Sequence, residues 1–247
     1  MKISIIIPVW NKEKYTKSCL NDLIKLKPTR LIKNYEIIIV DNASTDKTES
    51  IVNDAISSTA VGEVMEESPI SIKYIKQNRN YGFANACNRG YRESSGEIIM
   101  FLNNDIKVLD NFESWAANLA GSLFIFDGKD RLVGPTGAMV DHKTFEFKYE
   151  TNGDKPYNYI SAWCIIGMRY IWNQLDTGDG QPFSEEFGIA FFEDTDLGFR
   201  ATEKNILMKL SPIPVKHYGH VTAKQLNVNY LYRNAKKIFT KKWGDKR

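Results

Sequence analysis

The sequence is poor in cysteine and has no long apolar segment, and each absence excludes a class of protein. Only three cysteines occur among 247 residues, at Cys19, Cys87 and Cys164, and they form no CxxC pair. We therefore expect neither a zinc site nor a disulfide framework, as in proteins of a reducing cytosol. No stretch approaches the roughly 20 apolar residues that a membrane-spanning helix requires. The opening run ISIIIPVW is short, contains Pro8 and lacks a cleavage site, so it predicts a first strand and not a signal peptide.

A large excess of one charge is also absent. The net charge is +3, which is too small to predict nucleic acid as the main partner. The hydrophobic share of 43% and the charged share of 26% are typical of a globular chain with a sizeable core. These values predict a cytoplasmic globular protein without nucleic acid as its partner.

Strand and helix patterns alternate regularly in residues 1–105. Apolar, β-branched runs occupy residues 3–9, 35–40, 70–75 and 97–102, and segments of helical character occupy residues 12–26, 45–58 and 82–94. Continuous apolar strands separated by helices predict a parallel sheet that is covered on both faces. This half therefore predicts a doubly wound, Rossmann-like α/β unit.

The second half is less regular and predicts a smaller antiparallel part. Short antiparallel strands are predicted at 131–140 and 145–150, further strands at 159–168 and 206–215, and helices at 193–204 and 226–243. Asp196 and Arg200 are one helical turn apart and are expected to pair. Because there is no repeat or obvious linker, we expect one domain with two unequal halves.

Polar residues gather where the predicted strands end. These ends read PVWN (8–11), DNAS (41–44), NRNYGFANACNRG (78–90) and NND (103–105). In an open parallel sheet, ligands bind beyond the carboxyl ends of the strands. One capping residue is enough for a turn, whereas Asp41, Asn80 and Asp105 recur at three successive ends. The pattern predicts a ligand site, although capping remains the alternative for each residue taken alone.

The glycine-rich phosphate-binding motifs are missing. Neither GxGxxG nor GxxxxGK(S/T) occurs, and PVWNKEKY after the first strand has no glycine. A divalent cation is then the simplest way to neutralise the phosphates of a bound nucleotide. Asp105 follows an apolar run and two amides, and it is the candidate ligand because Mg²⁺ and Mn²⁺ prefer hard oxygen donors. The alternative is that Asp105 caps the next turn.

Acidic and histidine side chains form two further groups in the second half. Glu193 and Asp194 follow two phenylalanines at a predicted helix start, where the helix dipole favours acids. Alternatively, one of the two carboxylates is a general base that deprotonates an acceptor hydroxyl. In KHYGH, His217 and His220 flank a glycine, and the pair indicates metal ligation or phosphate contact.

These segments together resemble the family 2 glycosyltransferases, which are inverting enzymes of the GT-A fold. The resemblance covers most of the chain and runs in the family's order through SIIIPVWN, IIIVDNASTDKT, NRNYGFANACNRG, FLNND, SAWCIIGMRYIW, FFEDTDLGFR and HYGH. The third segment is similar to the N-x-G-F-A-x-A-x-N-x-G run of the rhamnosyltransferase-like branch. FLNND stands where the family has its DxD-type motif.

The resemblance implies a nucleotide-diphosphate sugar as donor, linked to UDP, dTDP or GDP. The donor-binding residues would be Pro8, Asp41, Asn42, Asn80, Gly82, Asn85, Asn104 and Asp105. Among them, Asp41 would hydrogen-bond the base or ribose, and Asn80 and Gly82 would let the backbone approach the nucleotide. Asp105 and His217 would bind a divalent cation, Mn²⁺ or Mg²⁺, that bridges the two phosphates.

The resemblance also implies roles on the acceptor side. Asp194 would be the general base, Glu193 would orient the acceptor, and Trp163 would contact it. A single GT-A domain would span residues 1–247, with a nucleotide-sugar-binding half at 1–105, an acceptor and catalytic half at 106–225 and a basic amphipathic helix at 226–247. The acceptor would be a hydroxyl of a glycan or of a lipid-linked molecule.

Two positions depart from the family's pattern. The DxD-like triplet begins with Asn103, which leaves Asp105 as its only carboxylate. HYGHVT matches the usual H-x-x-G-x-S imperfectly, so His217 is the preferred metal-side histidine and His220 its rival.

The C-terminal segment NYLYRNAKKIFTKKWGDKR mixes apolar residues with lysines. This mixture predicts a helix that lies on an anionic membrane surface, where lipid-linked acceptors would be found, and hence a peripheral location at the cytoplasmic face. The alternative is a terminal helix that packs on the domain and has a solvated basic end.

Two other functions remain open on the sequence. A sugar nucleotidyltransferase on a related fold would release pyrophosphate, and the missing glycine-rich loop counts against it. A non-catalytic sugar-nucleotide or glycan-binding module would have lost its acids, yet Asp41, Asp105 and Asp194 are all present.

Overall fold

The structure is a computed structural model and describes residues 1–60, 69–109, 114–124, 129–219 and 226–246. The strands are β1 (Lys2–Val9), β2 (Asn34–Asp41), β3 (Ile70–Lys76), β4 (Ile98–Leu102), β5 (Ile106–Val108), β6 (Arg131–Gly134), β7 (Gly137–Val140), β8 (Phe147–Thr151), β9 (Tyr159–Ile160), β10 (Cys164–Met168), β11 (Leu207–Leu210) and β12 (Val215–His217). The helices are α1 (Glu13–Leu23), α2 (Thr48–Ala60), α3 (Phe83–Arg92), α4 (Trp115–Gly121), α5 (Arg169–Gln174), α6 (Glu193–Glu203) and α7 (Val228–Trp243), with a 3₁₀ turn at Glu185–Phe187.

The central sheet confirms the predicted fold class. Within the described residues, its strands follow the order β11-β6-β10-β4-β1-β2-β3. β1 is parallel to both β2 and β4, and β2 is parallel to β3, whereas β10 runs antiparallel between β4 and β6. A smaller antiparallel sheet has the order β8-β7-β9, and β12 pairs antiparallel with β5. The carboxyl ends of β1, β2 and β4 therefore meet at one edge of the sheet. This is the arrangement that the ligand site predicted from the strand-end residues depends on.

Helices cover both faces of the central strands, which explains why these strands are continuously apolar. Ile5 and Ile7 of β1 belong to a buried cluster with side chains of α1, α2 and α4. Ile6, which points the other way, belongs to a second cluster with side chains of α3, α5 and α6. Strand residues alternate between faces, so a strand buried on both sides carries apolar residues at every position.

Two strand predictions differ from the structure. The predicted strand 159–168 is divided into β9 and β10, which belong to different sheets and are separated by residues 161–163. The predicted strand 206–215 ends at Leu210, and residue 215 already belongs to β12. Pro212 and Pro214 lie between them and have no backbone N–H for a ladder, which explains the second division.

The C-terminal helix α7 packs on the domain through part of its apolar side. Phe239 and Trp243 are at most 5% exposed and pack with Phe187 and Phe192 in a buried aromatic cluster. The basic residues Arg233, Lys237 and Lys241 stay exposed. Phe239 and Trp243 therefore pack as the alternative of a terminal helix on the domain expects, and contact of α7 with a membrane stays a prediction. No helix in the described part of the chain is long and apolar enough to cross a membrane.

The predicted pair of Asp196 and Arg200 is confirmed and links α7 to α6. Asp196 is fully buried and accepts a hydrogen bond from Arg200 Nε at 2.8 Å. Its second oxygen accepts from Trp243 Nε1 at 2.9 Å and lies 2.9 Å from Lys242 Nζ. Because α6 begins with Glu193, these bonds hold the helix that carries the acidic pair.

Asp196→Ala should destabilise the fold strongly. We expect the free energy of unfolding to fall by about 3–5 kcal/mol, because the buried Arg200 guanidinium would lose its anionic partner. Urea denaturation measures this change. Glu203→Ala is the control, since its pair with Lys246 is exposed and should contribute less than about 1 kcal/mol. A loss as small as the control's would contradict the structural role of Asp196.

Candidate active site

A cavity of about 740 Å³ opens at the carboxyl edge of the central sheet. Most of the predicted site residues line it: Pro8, Asn42, Asn80, Asn104, Asp105, Trp163, Glu193, Asp194 and His217. They come from β1, from the loops after β2, β3 and β4, from the loop before β10, from the start of α6 and from the end of β12. The fold thus brings both predicted groups, the strand-end residues and the acidic pair, to one cavity.

Asp105 and His217 form one side of the cavity. The pairing of β12 with β5 sets His217 opposite Ile106, next to Asp105. His217 Nε2 lies 3.1 Å from Asp105 Oδ1, and its ring stacks on Trp163 at 4.7 Å with an interplanar angle of 9°. The backbone N–H of Tyr218 donates to the carbonyl of Asp105 at 2.9 Å, which fixes the register. The two predicted metal ligands are therefore neighbours.

The donor set of this cluster fits a divalent cation that is shared with a substrate. In the described ranges, no group of three or more His, Cys, Asp or Glu side chains could enclose a metal ion. Magnesium-type sites commonly use one or two protein carboxylates and complete their shell with phosphate and water oxygens. The Asp105 carboxylate and the His217 imidazole suit that arrangement. The rival histidine, His220, lies outside the described residues.

The charges of the cavity support the same conclusion. Its described lining contains four acidic residues, Asp105, Glu150, Glu193 and Asp194, and neither lysine nor arginine. The described lining therefore contains no lysine or arginine that would neutralise a bound diphosphate. A cation beside Asp105 would do so, which agrees with the absence of a basic, glycine-rich loop in the sequence.

The acidic pair is held by a strained turn. Phe191 and Phe192 precede α6 with φ values of 80° and 67°, a region that non-glycine residues rarely occupy and that is often found at functional sites. Asp194 Oδ1 accepts from the Thr195 backbone N–H at 2.8 Å, and its Oδ2 accepts from Ala162 N–H at 3.3 Å. Oε2 of Glu193 is buried and has no hydrogen-bond partner. The turn thus fixes Asp194 and leaves one Glu193 oxygen free.

Both carboxyl groups are harder to ionise than ordinary acids. Burial raises the pKa of Asp194, although hydrogen bonds from Ala162 and Thr195 oppose the shift. Burial raises the pKa of Glu193 further, and the nearby charge of Asp194 adds to this effect. The geometry favours Asp194 as the site of the negative charge and Glu193 as the site of the proton, because both Asp194 oxygens accept backbone hydrogen bonds whereas Oε2 of Glu193 has no partner. Two neighbouring acids whose pKa values are separated in this way suit a base beside a proton donor.

Asp41 lies outside the cavity lining, and its predicted contact with the base or ribose stays a prediction. Asp41 is fully buried, with Oδ1 accepting from Ser44 N–H at 2.8 Å and Oδ2 from the Tyr74 hydroxyl at 2.6 Å. Because both oxygens have internal partners, Asp41 shapes the turn after β2. Its neighbour Asn42 reaches the cavity instead.

Gly82 and Asn85 also lie outside the cavity lining. A Cβ on Gly82 would lie 2.4 Å from the carbonyl oxygen of Gly188, and φ is 97°, so glycine is required for packing against residues 188–189. Asn85 Nδ2 donates to Glu185 Oε2 at 2.7 Å. Both residues therefore join α3 to the segment before α6, and their predicted contact with a nucleotide stays a prediction.

Several lining residues were missed at the sequence level. They are aromatic or acidic side chains from distant segments: Trp10, Phe83, Phe147, Glu150, Tyr159, Phe191 and Tyr232. Trp10 and Phe83 lie within segments already singled out, and their position at a strand end or helix start is a usable signal. Phe147 and Glu150 on β8 and Tyr232 on α7 carry no local signal, because only the tertiary fold brings them to the cavity.

The fold and this cavity define the class of protein, an α/β protein of the GT-A fold with its ligand site at the carboxyl edge of the sheet. The mannosyltransferase PcManGT from Pyrobaculum calidifontis, solved in complex with GDP-Man and Mn²⁺, superposes with a TM-score of 0.60 at 18% identity. The match covers 85% of this chain and 54% of that one. The predicted GT-A fold is therefore confirmed.

Sequence comparison finds similarity to one family. Residues 4–120 match the model described as Glycosyl transferase family 2. Glycosyltransferase GlyG of Streptococcus pneumoniae is 30% identical over 201 residues, covering 74% of this chain and 62% of GlyG. Glycosyltransferase GlyA of the same organism is 28% identical over 191 residues, covering 70% of this chain and 25% of GlyA. The chain thus spans less than two thirds of either relative, and residues 4–120 are similar to the family 2 glycosyltransferases.

Proposed function

We propose that this chain transfers a sugar, with inversion at the anomeric carbon, from a nucleotide-diphosphate sugar to a hydroxyl of a glycan or lipid-linked acceptor. The observation that carries the proposal is that the Asp105–His217 pair and the Asp194 carboxylate line one cavity. A diphosphate held through the first and an acceptor hydroxyl held at the second would share that space. The similarity to family 2 glycosyltransferases and the GDP-Man and Mn²⁺ bound by PcManGT support it.

On the donor side, the nucleoside would bind among the strand-end residues. Pro8, Asn42 and Asn80 line the cavity beyond β1, β2 and β3. Asn42 is nearly buried and bonded on both sides, its Nδ2 to the Gly82 carbonyl and its Oδ1 to Gln77 Nε2. It would therefore present a rigid edge to the base or ribose. Asn104, which donates to Thr16 Oγ1 at 2.9 Å, would fix the turn that carries Asp105.

On the acceptor side, each residue would have a distinct task. Asp194 would take the proton of the acceptor hydroxyl as its oxygen attacks the anomeric carbon from the face opposite the diphosphate. Glu193, which keeps its proton, would donate a hydrogen bond to the acceptor and orient it. Trp163 would form the wall between the acceptor and His217. A divalent cation held by Asp105 and His217 would stabilise the charge that develops on the leaving diphosphate.

A donor screen tests the proposal directly. Thermal shifts are measured with UDP-, dTDP- and GDP-sugars, each with Mn²⁺ and with a chelator. Released products are then identified in the presence of saccharide and lipid-linked acceptors. We expect one nucleotide class to stabilise the protein in the presence of Mn²⁺ and to yield a nucleoside diphosphate. Release of pyrophosphate would favour the nucleotidyltransferase alternative. Binding of a nucleotide sugar without any product would favour the non-catalytic module.

Because the pKa of Asp194 is raised, we expect activity to be lost at a higher pH than for an enzyme with an ordinary aspartate base. A base must be ionised, so activity is lost as the pH falls through its pKa. Because burial raises that pKa, we expect the loss of kcat/KM to begin well above the usual aspartate value of about 4. The rate of sugar transfer is measured across the pH range, and circular dichroism checks that the protein stays folded at each pH. Full activity down to about pH 4 with an intact fold would contradict the base role.

We also propose that any membrane contact of α7 is electrostatic. Part of its apolar side is buried, while Arg233, Lys237 and Lys241 remain exposed. Sedimentation with vesicles rich in phosphatidylglycerol should be salt-sensitive and should fall in the triple glutamine variant of these residues. Equal sedimentation of the variant and the wild type would contradict this contact.

A further inference from the structure

The acceptor end of the cavity is a groove between β8 and α7. A bulge in β8 sets Val140 opposite Phe147 and Met139 opposite Tyr149, so that Lys148 is the extra residue. An extra residue shifts the alternation of faces, and Phe147 and Glu150 both line the cavity as a result. Tyr232 of α7 lines the same end. The bulge thus gives this wall one aromatic ring and one carboxylate.

The two walls of the groove are joined and therefore preformed. Glu146, just before β8, accepts a hydrogen bond from the Tyr232 hydroxyl at 3.1 Å and forms an ion pair with Lys236. Tyr232 also packs edge-on against Phe191, with ring centroids 5.8 Å apart. The hairpin, α7 and the strained turn before Glu193 form one continuous surface.

The groove has an exposed aromatic face but no described cation. Phe147 is 51% exposed and lines the cavity, so its ring is accessible to a ligand there. Carboxyl groups of Glu150, Glu193 and Asp194 line this end, and the described lining has no lysine or arginine. One oxygen of Glu193 is buried without a partner. A ligand that packs on Phe147 and bonds to these carboxyl groups would offer apolar C–H surface and hydroxyl groups.

We propose that the reacting end of the acceptor is a neutral sugar ring, packed on Phe147, and not a polyprenyl phosphate. This inference rests on the proposed function and narrows its acceptor class. A pyranose ring has a face of C–H bonds that packs on an aromatic ring, and its hydroxyls donate to carboxylates such as Glu150. A phosphate monoester would be repelled by the Asp194 carboxylate, which must be ionised to act as the base, since like charges brought together in a cavity are unfavourable.

The test compares acceptors at saturating donor and Mn²⁺. The donor is the nucleotide sugar that gives the largest thermal shift, and the acceptors are a panel of methyl glycosides and disaccharides and, separately, farnesyl phosphate. We expect transfer to at least one saccharide at a rate at least tenfold above that with farnesyl phosphate. Transfer only to farnesyl phosphate would overturn this inference and leave the proposed function standing. Failure of every nucleotide sugar to bind would overturn both.

Variants at Phe147 test the contact itself. Phe147→Ala should raise KM for the saccharide about 3- to 10-fold and leave kcat and donor affinity unchanged, because an aromatic contact is lost on the acceptor side alone. Phe147→Tyr should restore the wild-type KM. Tyr170→Ala is the matched control, since Tyr170 is also 51% exposed and lies outside the cavity lining. A KM for Phe147→Ala equal to that of the control would overturn the contact.

Discussion

Asp194→Asn is expected to lower kcat for sugar transfer by about 10²–10⁴-fold while donor affinity stays within about twofold of the wild type. Asparagine has nearly the same shape, and its one oxygen can still accept from the Thr195 backbone N–H at the position of Oδ1, although the longer bond from Ala162 N–H to Oδ2 is lost. Asparagine cannot take a proton from an acceptor hydroxyl. The fold and the donor site should therefore persist while the proton transfer is lost.

Single-turnover rates and donor titrations by calorimetry separate these two effects. Glu203→Gln is the control on the same helix, because Glu203 is exposed and paired only with Lys246. Glu193→Gln should have an intermediate effect, since a protonated carboxyl and an amide can both donate a hydrogen bond to the acceptor. Turnover of Asp194→Asn close to that of the control would exclude Asp194 as the base.

Asp105→Asn should produce the second large loss, with kcat/KM falling by roughly 10²-fold or more and donor binding no longer responding to Mn²⁺. The substitution keeps the size of the side chain but removes the carboxylate that lies beside His217. Donor binding is titrated at several Mn²⁺ concentrations and in a chelator. Retained Mn²⁺ dependence in the variant would remove Asp105 from the metal site.

Asn103→Asp adds a carboxylate to the proposed metal site, whereas Asp105→Asn removes one. Asn103 Nδ2 lies 3.5 Å from His217 Nε2, so a carboxylate at this position would be next to both proposed ligands. We expect the Mn²⁺ concentration needed for half-maximal donor binding to decrease. An increase would indicate that the cation binds elsewhere in the cavity.

The sequence predicted those parts of the fold that depend on local patterns. The strands at 3–9, 35–40 and 70–75 and the helix at 193–204 lie within a few residues of β1, β2, β3 and α6, because apolar continuity and helical spacing are properties of short segments. Asp196 and Arg200 were paired correctly for the same reason, being one turn apart.

What the sequence could not reveal depends on contacts between distant residues. Asp41 ends an apolar strand, but only the fold places the Tyr74 hydroxyl, 33 residues away, on its carboxylate. Similarly, the apolar residues of α7 fit a membrane surface as well as they fit a protein core. In the structure, Phe239 and Trp243 are buried in an aromatic cluster of the protein core. The groove residues on β8 were missed because a bulge, which has no sequence signature here, turns them towards the cavity.

One measurement tests the central claim most directly. The wild-type protein is incubated with the nucleotide sugar selected by the thermal screen, Mn²⁺ and a saccharide acceptor, and proton NMR follows the anomeric signals of donor and product together with the released nucleotide. The account predicts a glycoside of opposite anomeric configuration to the donor and one equivalent of nucleoside diphosphate. A product with retained configuration, or release of pyrophosphate, would contradict it.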